Sequence, residues 1–365
     1  MPHRTLWPEA GEGAVWVIDQ RQLPHGFVTA RLASADAVGR AIREMWVRGA
    51  PLIGACAAYG LALQTNEDAS DAALARTAFA LMGTRPTAVN LAWAVDRMIT
   101  RLQALPVHQR RAAAWHEAAL ICDEDVAANR AIGEHGLALL REVLERKPGG
   151  GRLNILTHCN AGWLATVDRG TALAPVYAAR DFGLDVHVWV DETRPRNQGA
   201  SLTAWELGEE GIAHTVIADN TGGHLMQKGQ VDVVIVGCDR VTRRGDVCNK
   251  IGTYLKALAA HDNRVPFYVA MPLATLDWRL SDGLREIPIE VRDARELTHI
   301  AGEAASGERV EVRLTPAGSP AANFGFDVTP ARLVTALISE RGVVAANEAA
   351  LATLRGGNGN TANGG

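Results

Sequence analysis

The chain has 365 residues, with 37 Lys and Arg against 41 Asp and Glu for a formal net charge of −4, and 47% of its residues are hydrophobic. No block of basic residues stands out and no uninterrupted apolar run is long enough to span a bilayer, so neither nucleic acid nor membrane is expected as a partner. The length exceeds one ordinary hydrophobic core and predicts two domains.

Five cysteines, Cys56, Cys122, Cys159, Cys238 and Cys248, form no CxxC pair and are odd in number. They suit a reducing compartment, and the opening Met1-Pro-His-Arg-Thr-Leu-Trp7 lacks the apolar stretch of a secretory signal, so a soluble cytoplasmic protein is expected.

Weak alternation over residues 14–31 predicts a short hairpin-like β segment. Ser34 reads as the N-cap of a helix carrying Val38, Ala41, Ile42 and Met45 on one face, ending at Arg48-Gly49. Pro51 then opens a second helix. Arg48-Gly49-Ala50-Pro51 therefore lies where one helix ends and another begins; it is either an anion grip or an ordinary Gly stop followed by Pro at the first helical position. An Ala-rich helix follows over 69–82. Another runs from Ala88 with Thr87 as its cap, which puts a second arginine, Arg85, at a helix N-terminus. Residues 109–145 read as long helical segments broken near Gly133 and Gly136.

Lys147-Pro-Gly-Gly-Gly-Arg152 is the clearest shift in composition, and the domain boundary is placed there: a mainly helical domain over 1–147, a second over 148–355, and a disordered Gly/Asn tail over 356–365. Beyond it, β runs at 153–157, 186–190, 215–218, 231–236, 267–271 and 287–291 alternate with helical patterns. This predicts a Rossmann-like, doubly wound parallel sheet in an α/β protein. A late helix is expected over 330–341.

Ligands of such sheets bind beyond the carboxyl ends of the strands. The run Val233 to Val236 ends at Gly237, and Asp239 follows it. A helix predicted to open near Asn249 places Lys250 in its first turn. Asp239 and Lys250 then suit an acid/base group beside an anion grip, or a turn-capping Asp and a solvated Lys. Cys159 follows the first strand of the second domain and is either a reactive thiol or a packed one. His158 is either its partner or a core histidine; because adjacent residues of a strand point to opposite faces, the two are not both placed in the site. Gln198, at a helix entry, suits a hydroxyl-binding amide, while Asp191, Glu192 and Arg194 can equally form a structural ion pair. There is no dinucleotide fingerprint, P-loop, GxSxG elbow or HExxH motif, and the histidines do not fall at metal-ligand spacing; no metal and no cofactor are expected.

In order along the chain, Val47-Arg-Gly-Ala-Pro-Leu-Ile-Gly54, Arg85-Pro-Thr-Ala-Val-Asn-Leu-Ala92, Leu156-Thr-His-Cys-Asn-Ala-Gly162, Asp191-Glu-Thr-Arg-Pro195, Gly237-Cys-Asp-Arg240, Gly245-Asp-Val-Cys-Asn-Lys-Ile-Gly-Thr-Tyr254 and Phe326-Asp-Val-Thr-Pro330 resemble the methylthioribose-1-phosphate isomerases. That superfamily also holds ribose-1,5-bisphosphate isomerases and the regulatory subunits of an initiation-factor exchange factor. The resemblance implies a helical N-terminal domain, a Rossmann-like C-terminal domain and a homodimer. It implies Cys159 and Asp239 as the catalytic pair, and Arg48, Gly49, Ala50, Arg85, Gln198, Asn249 and Lys250 as the residues binding a sugar phosphate. Cys238 and Cys248 stand where a small residue such as Ala is expected, and Asn323-Phe-Gly-Phe-Asp327 replaces an Asn-Pro-Ala-Phe-Asp segment. These departures leave open the 5-substituent of the sugar. The competing readings are an isomerase of 5-deoxyribose 1-phosphate or ribose 1,5-bisphosphate, and a non-catalytic regulatory sensor.

Overall fold

A computed structural model describes residues 4–86 and 88–355. The expected cap at Thr87 and the expected disordered tail lie outside the described residues. Three short strands open the chain, β1 (Leu6–Pro8), β2 (Val15–Ile18) and β3 (Thr29–Leu32), and pair antiparallel as the alternation over 14–31 predicts.

Helix α1 (Ala35–Arg43) begins where expected: the Ser34 hydroxyl accepts the Ala37 N–H at 3.1 Å. It ends earlier than expected, because Met45 adopts a left-handed φ of 59°. Helix α2 (Ala50–Glu67) is the centre of the N-terminal region. Leu52, Ile53, Tyr59, Leu61 and Leu63 are all buried, and so are the small residues between them. Burial all round explains its lack of an amphipathic stripe. Helices α3 (Asp71–Met82), α4 (Val89–Gln103) and α5 (Val107–Arg146) pack around it.

The break expected in α5 is absent; it is one helix of 40 residues. Gly133 and Gly136 are points of close approach to helix α6 (Ala174–Asp181), since an added Cβ would lie 3.0 Å from the Ala174 carbonyl and 2.3 Å from Pro175 Cγ. Among the described residues, no helix is long and apolar enough to cross a membrane.

The second half holds strands β4 (Leu153–Thr157), β5 (Val186–Asp191), β6 (Ala213–Ile217), β7 (Val233–Val236), β8 (Arg240–Thr242), β9 (Val247–Lys250), β10 (Phe267–Ala270), β11 (Leu276–Asp277), β12 (His299–Glu303), β13 (Arg309–Arg313), β14 (Phe326–Thr329), β15 (Ala336–Ser339) and β16 (Gly342–Val344). Seven form the main sheet in the order β16-β15-β10-β7-β4-β5-β6, parallel except at β16. From β4 the chain winds outward through β5 and β6, then returns to lay β7 on the other side of β4. The strand order therefore reverses between β4 and β7, the switch point where a doubly wound sheet opens a crevice. Strands β11, β8, β9 and β14 form a smaller sheet, and β12 and β13 a hairpin.

Three elements differ from expectation. The stretch before Lys250 is strand β9, not the first turn of a helix; Gly252, at φ 102°, cannot lie within a right-handed helix, so helix α7 (Thr253–Asp262) starts after it. Residues 287–291 form only a single bridge, Val291 to Phe324, because Pro288 lacks the N–H a ladder needs. The late helix is replaced by a turn and strand β15, whose Leu337 and Ile338 are both buried. An apolar run covered on both faces has no period that separates strand from buried helix.

Candidate active site

Cys159 lies just beyond β4 and Asp239 just beyond β7, the two strands flanking the switch point, with Ile155 opposite Val233 and Leu156 opposite Val234 in register. The strand ends are tied by the Thr157 hydroxyl, which donates to the Ile235 carbonyl at 2.8 Å. Gly237 leaves room for Ala161: a Cβ there would come within 2.6 Å of the Ala161 Cβ. The loop after β4 thereby closes onto the end of β7.

Cys159 is buried in a left-handed conformation, φ 65°. Its N–H donates to Thr193 Oγ1 at 2.8 Å and its carbonyl accepts from Thr203 Oγ1 at 2.7 Å. The Arg48 Nη2 stands 3.9 Å from its sulfur, and Arg48 Nη1 donates to both the carbonyl and the side-chain oxygen of Asn160. Asp239 donates its N–H to the Cys248 carbonyl at 2.9 Å, which fixes it beside β9. Lys250, buried on β9, donates to the Gly325 carbonyl at 3.0 Å and lies over the Phe326 ring.

Burial pushes the Asp239 carboxyl above the usual carboxylate range, while Lys250, Arg48 and Arg85 pull it back down. Burial likewise lowers the Lys250 ammonium, against the opposing pull of Cys159 and Asp239. Thiol, carboxyl and three cations thus share one electrostatic neighbourhood.

Two hollows meet this neighbourhood. A cavity of about 40 Å³ is lined by Gly49, Ala50, Arg85, Asp239 and Arg240 on its polar side and by Ile53, Ala88, Cys248, Ile287, Pro288 and Phe326 on its apolar side. A cleft of about 490 Å³ is lined in part by Arg48 and Gln198. The consecutive residues Arg48 and Gly49 line one each, so the hollows lie back to back at the N-terminus of α2. Arg85 Nε and Gln198 Oε1 are buried and have no hydrogen-bond partner among the described residues. An unpaired buried donor on one hollow and an unpaired acceptor on the other fit an anion and a hydroxyl respectively.

Asn249 is braced by the start of the helix that follows. It alternates with Lys250 along β9, and its amide donates to Thr253 Oγ1 at 3.0 Å. His158 is outside the site: its ring nitrogens meet Asp191 Oδ2 at 2.9 Å and the Ile251 carbonyl at 2.8 Å. The ion pair considered for Asp191, Glu192 and Arg194 does not form. Asp191 instead pairs with Lys256 at 3.2 Å, and Arg194 donates to the Pro195 and Leu297 carbonyls. His158, Asp191 and Asp219 could in principle gather round a metal ion, but the Lys256 ammonium supplies the cation there.

Residues that sequence reasoning missed hold the site in place. Thr193 and Thr203 clamp Cys159, Glu206 and Asn160 brace the loop after it, and Glu290 pairs with Arg85 at 3.1 Å. Thr193 and Asn160 stand inside the motifs quoted above. Glu206 and Glu290 carried no local signal.

A doubly wound sheet with a thiol and a carboxyl at its switch point, ringed by arginine and lysine, defines an α/β protein built for a small anionic ligand. The chain belongs to the initiation factor 2 subunit family, whose family model matches residues 46–346. It is 65% identical over 357 residues to the methylthioribose-1-phosphate isomerase of Rhodospirillum rubrum, covering 97% of this chain and 92% of that protein. To the enzyme of that name from Methylorubrum populi it is 64% identical over 353 residues, with 97% and 96% covered. The solved structure of 5-methylthioribose 1-phosphate isomerase from Pyrococcus horikoshii OT3 superposes with a TM-score of 0.83 at 38% identity, covering 97% of this chain and 96% of that one. The translation initiation factor eIF-2B subunit delta from A. fulgidus gives 0.76 at 39% identity, with 94% and 96% covered. The resemblance read from the motifs is borne out.

Proposed function

We propose that the chain is an aldose–ketose isomerase that converts 5-methylthioribose 1-phosphate to 5-methylthioribulose 1-phosphate, a step of methionine salvage. The observation that carries this reading is the convergence of Cys159 and Asp239 at the ends of adjacent strands, inside a ring of Arg48, Arg85 and Lys250. Phosphorylation at C1 blocks free opening to the aldehyde, so an acid must assist cleavage of the ring C–O bond. Asp239, whose burial favours the protonated form, is the residue to supply that proton to the ring oxygen. Cys159 then acts at C1 and C2, by carrying the proton of an enediol or by stabilising a hydride shift. Retention of carbon-2 deuterium in the product marks the hydride route, and washout marks the proton route. No atoms are gained or lost overall, so the reaction consumes no co-substrate.

Arg48, Arg85 and Lys250 hold the phosphate, with the backbone of Gly49 and Ala50 at the N-terminus of α2. Gln198 takes a sugar hydroxyl on its unpaired oxygen, and Asn249 holds the turn that carries Lys250. The apolar side of the small cavity favours a methylthio group at C5, whereas a 5-phosphate would need a second cationic cluster. The reading places the protein in the cytoplasm as a homodimer, in keeping with five free cysteines.

The test is to assay 5-methylthioribose 1-phosphate, 5-deoxyribose 1-phosphate and ribose 1,5-bisphosphate side by side. The highest kcat/KM is expected for the first. A preference for the bisphosphate, or binding without turnover, would overturn the reading.

A further inference from the structure

Asn160 follows Cys159 directly, is buried, and touches both the arginine beside the thiol and a buried carboxylate behind the loop. Its two oxygens, the backbone carbonyl at 2.9 Å and Oδ1 at 2.7 Å, both accept from Arg48 Nη1. That leaves Nη2 directed at the sulfur, 3.9 Å away. The amide cannot turn over, because Oδ1 faces the Arg48 guanidinium, which can only donate, while Nδ2 donates to Glu206 Oε2 at 3.0 Å and Thr203 Oγ1 at 3.2 Å.

Glu206 is itself fixed from the other side. Its carboxylate accepts from the backbone N–H of Trp163 at 2.5 Å and of Leu164 at 3.2 Å, and from the Tyr177 hydroxyl. Gly162 makes room for it, since any Cβ there would overlap the Glu206 carboxylate. The backbone that carries the sulfur is equally constrained, because Thr193 and Thr203 clamp the N–H and carbonyl of Cys159. With that backbone fixed, the orientation of Arg48 is a remaining variable, and Asn160 sets it.

We propose that Asn160, oriented by Glu206, is a positioning residue that aims the Arg48 guanidinium at the Cys159 sulfur. The consequence is chemical: a fixed guanidinium beside the sulfur stabilises negative charge that gathers there as the sulfur reacts. This rests on the reading of Cys159 as the reacting thiol, but its test does not require turnover of any sugar phosphate.

The experiment measures the rate of iodoacetamide alkylation at Cys159 in the substrate-free full-length protein, resolved from the other cysteines by peptide mass spectrometry. Asn160→Ala and Asn160→Ser are compared with the parent, with folding checked by circular dichroism. Both are expected to slow alkylation about five- to tenfold and to lower kcat more than they raise KM, because the Asn160 backbone carbonyl still holds the arginine near the phosphate. A smaller side chain at 160 only widens access to the buried sulfur, so a merely structural role predicts faster alkylation, not slower.

Arg48→Met removes the guanidinium without entering the buried network and is expected to slow alkylation to the same degree. Adding Asn160→Ala to it should have no further effect. Folded Asn160 variants that alkylate at the parent rate or faster would overturn the proposal. Should neither fold, parent-rate alkylation in Arg48→Met would overturn it as well.

Discussion

The Arg85 guanidinium and the Glu290 carboxylate, 205 positions apart in the chain, pair at 3.1 Å beside the cavity that holds Asp239. Arg292 extends the cluster, bonding Glu290 and Glu296 at 2.6 Å and reaching Met45 at the end of α1. Residues 287–298 are thereby strapped to the N-terminal helices. Arg85 lines the cavity beside this strap, and Glu290 occupies part of the guanidinium that a substrate phosphate would use.

Substrate phosphate therefore competes with Glu290 for Arg85. Glu290→Gln is expected to lower KM about fivefold, on the order of 1 kcal/mol for a partly buried pair. Glu290 also helps keep the Asp239 carboxyl protonated. Its removal lets Asp239 ionise sooner as pH rises, so the alkaline limb of the kcat profile should move to lower pH. Steady-state kinetics across pH check both.

Gly49 stands at the N-terminus of α2 with φ 95°, and an added Cβ would lie 2.4 Å from the Ala165 carbonyl oxygen and 2.6 Å from its Cα. Backbone cannot yield as a flexible side chain can. Gly49→Ala is expected to cost more than about 2 kcal/mol of stability and most of the activity, read by urea unfolding and turnover.

Helix α1 was legible because cap and period agree: Ser34 accepts the Ala37 N–H as its position suggests. Strands β4, β5, β7 and β10 were legible as short apolar runs alternating with helical patterns. What failed was local ambiguity settled by tertiary structure. Leu337 and Ile338 are buried on both faces, Gly133 and Gly136 serve helix contact rather than interruption, and Gly252 delays a helix to make room for β9. Cys159, Asp239, Arg48 and Lys250 could be read as candidates because they follow strands or flank helix starts. Glu206 and Glu290 could not, since Glu206 meets its partners across 29 or more residues of chain and Glu290 meets Arg85 across 205.

The apolar wall of the small cavity gives a selectivity test. Ile287 is buried beside the space assigned to the 5-substituent. Ile287→Ala is expected to reduce kcat/KM for 5-methylthioribose 1-phosphate about tenfold, and that for 5-deoxyribose 1-phosphate by less than about threefold, since the smaller substrate leaves the wall unused. Parallel assays with unfolding midpoints separate this from lost stability.

Glu206 is fully buried, and burial pushes its carboxyl up to about 7, against the hydrogen bonds it accepts. In the unfolded chain it titrates near 4.5. Between these values the unfolded state releases its proton while the folded state keeps it, so stability is expected to fall as pH rises from about 4.5 to about 7, by on the order of 3 kcal/mol. Glu206→Gln should be less stable at acid pH, having lost an acceptor, but its unfolding free energy should vary less over that range. An unchanged slope in the variant would assign the pH dependence to other groups.

The most direct test is the turnover of 5-methylthioribose 1-phosphate by Cys159→Ser and Asp239→Asn, each shown by circular dichroism and thermal unfolding to be folded. If thiol and carboxyl act together at the switch point, each variant loses about a thousandfold or more in kcat with KM little changed. Turnover within a few-fold of the parent in either folded variant would contradict the account.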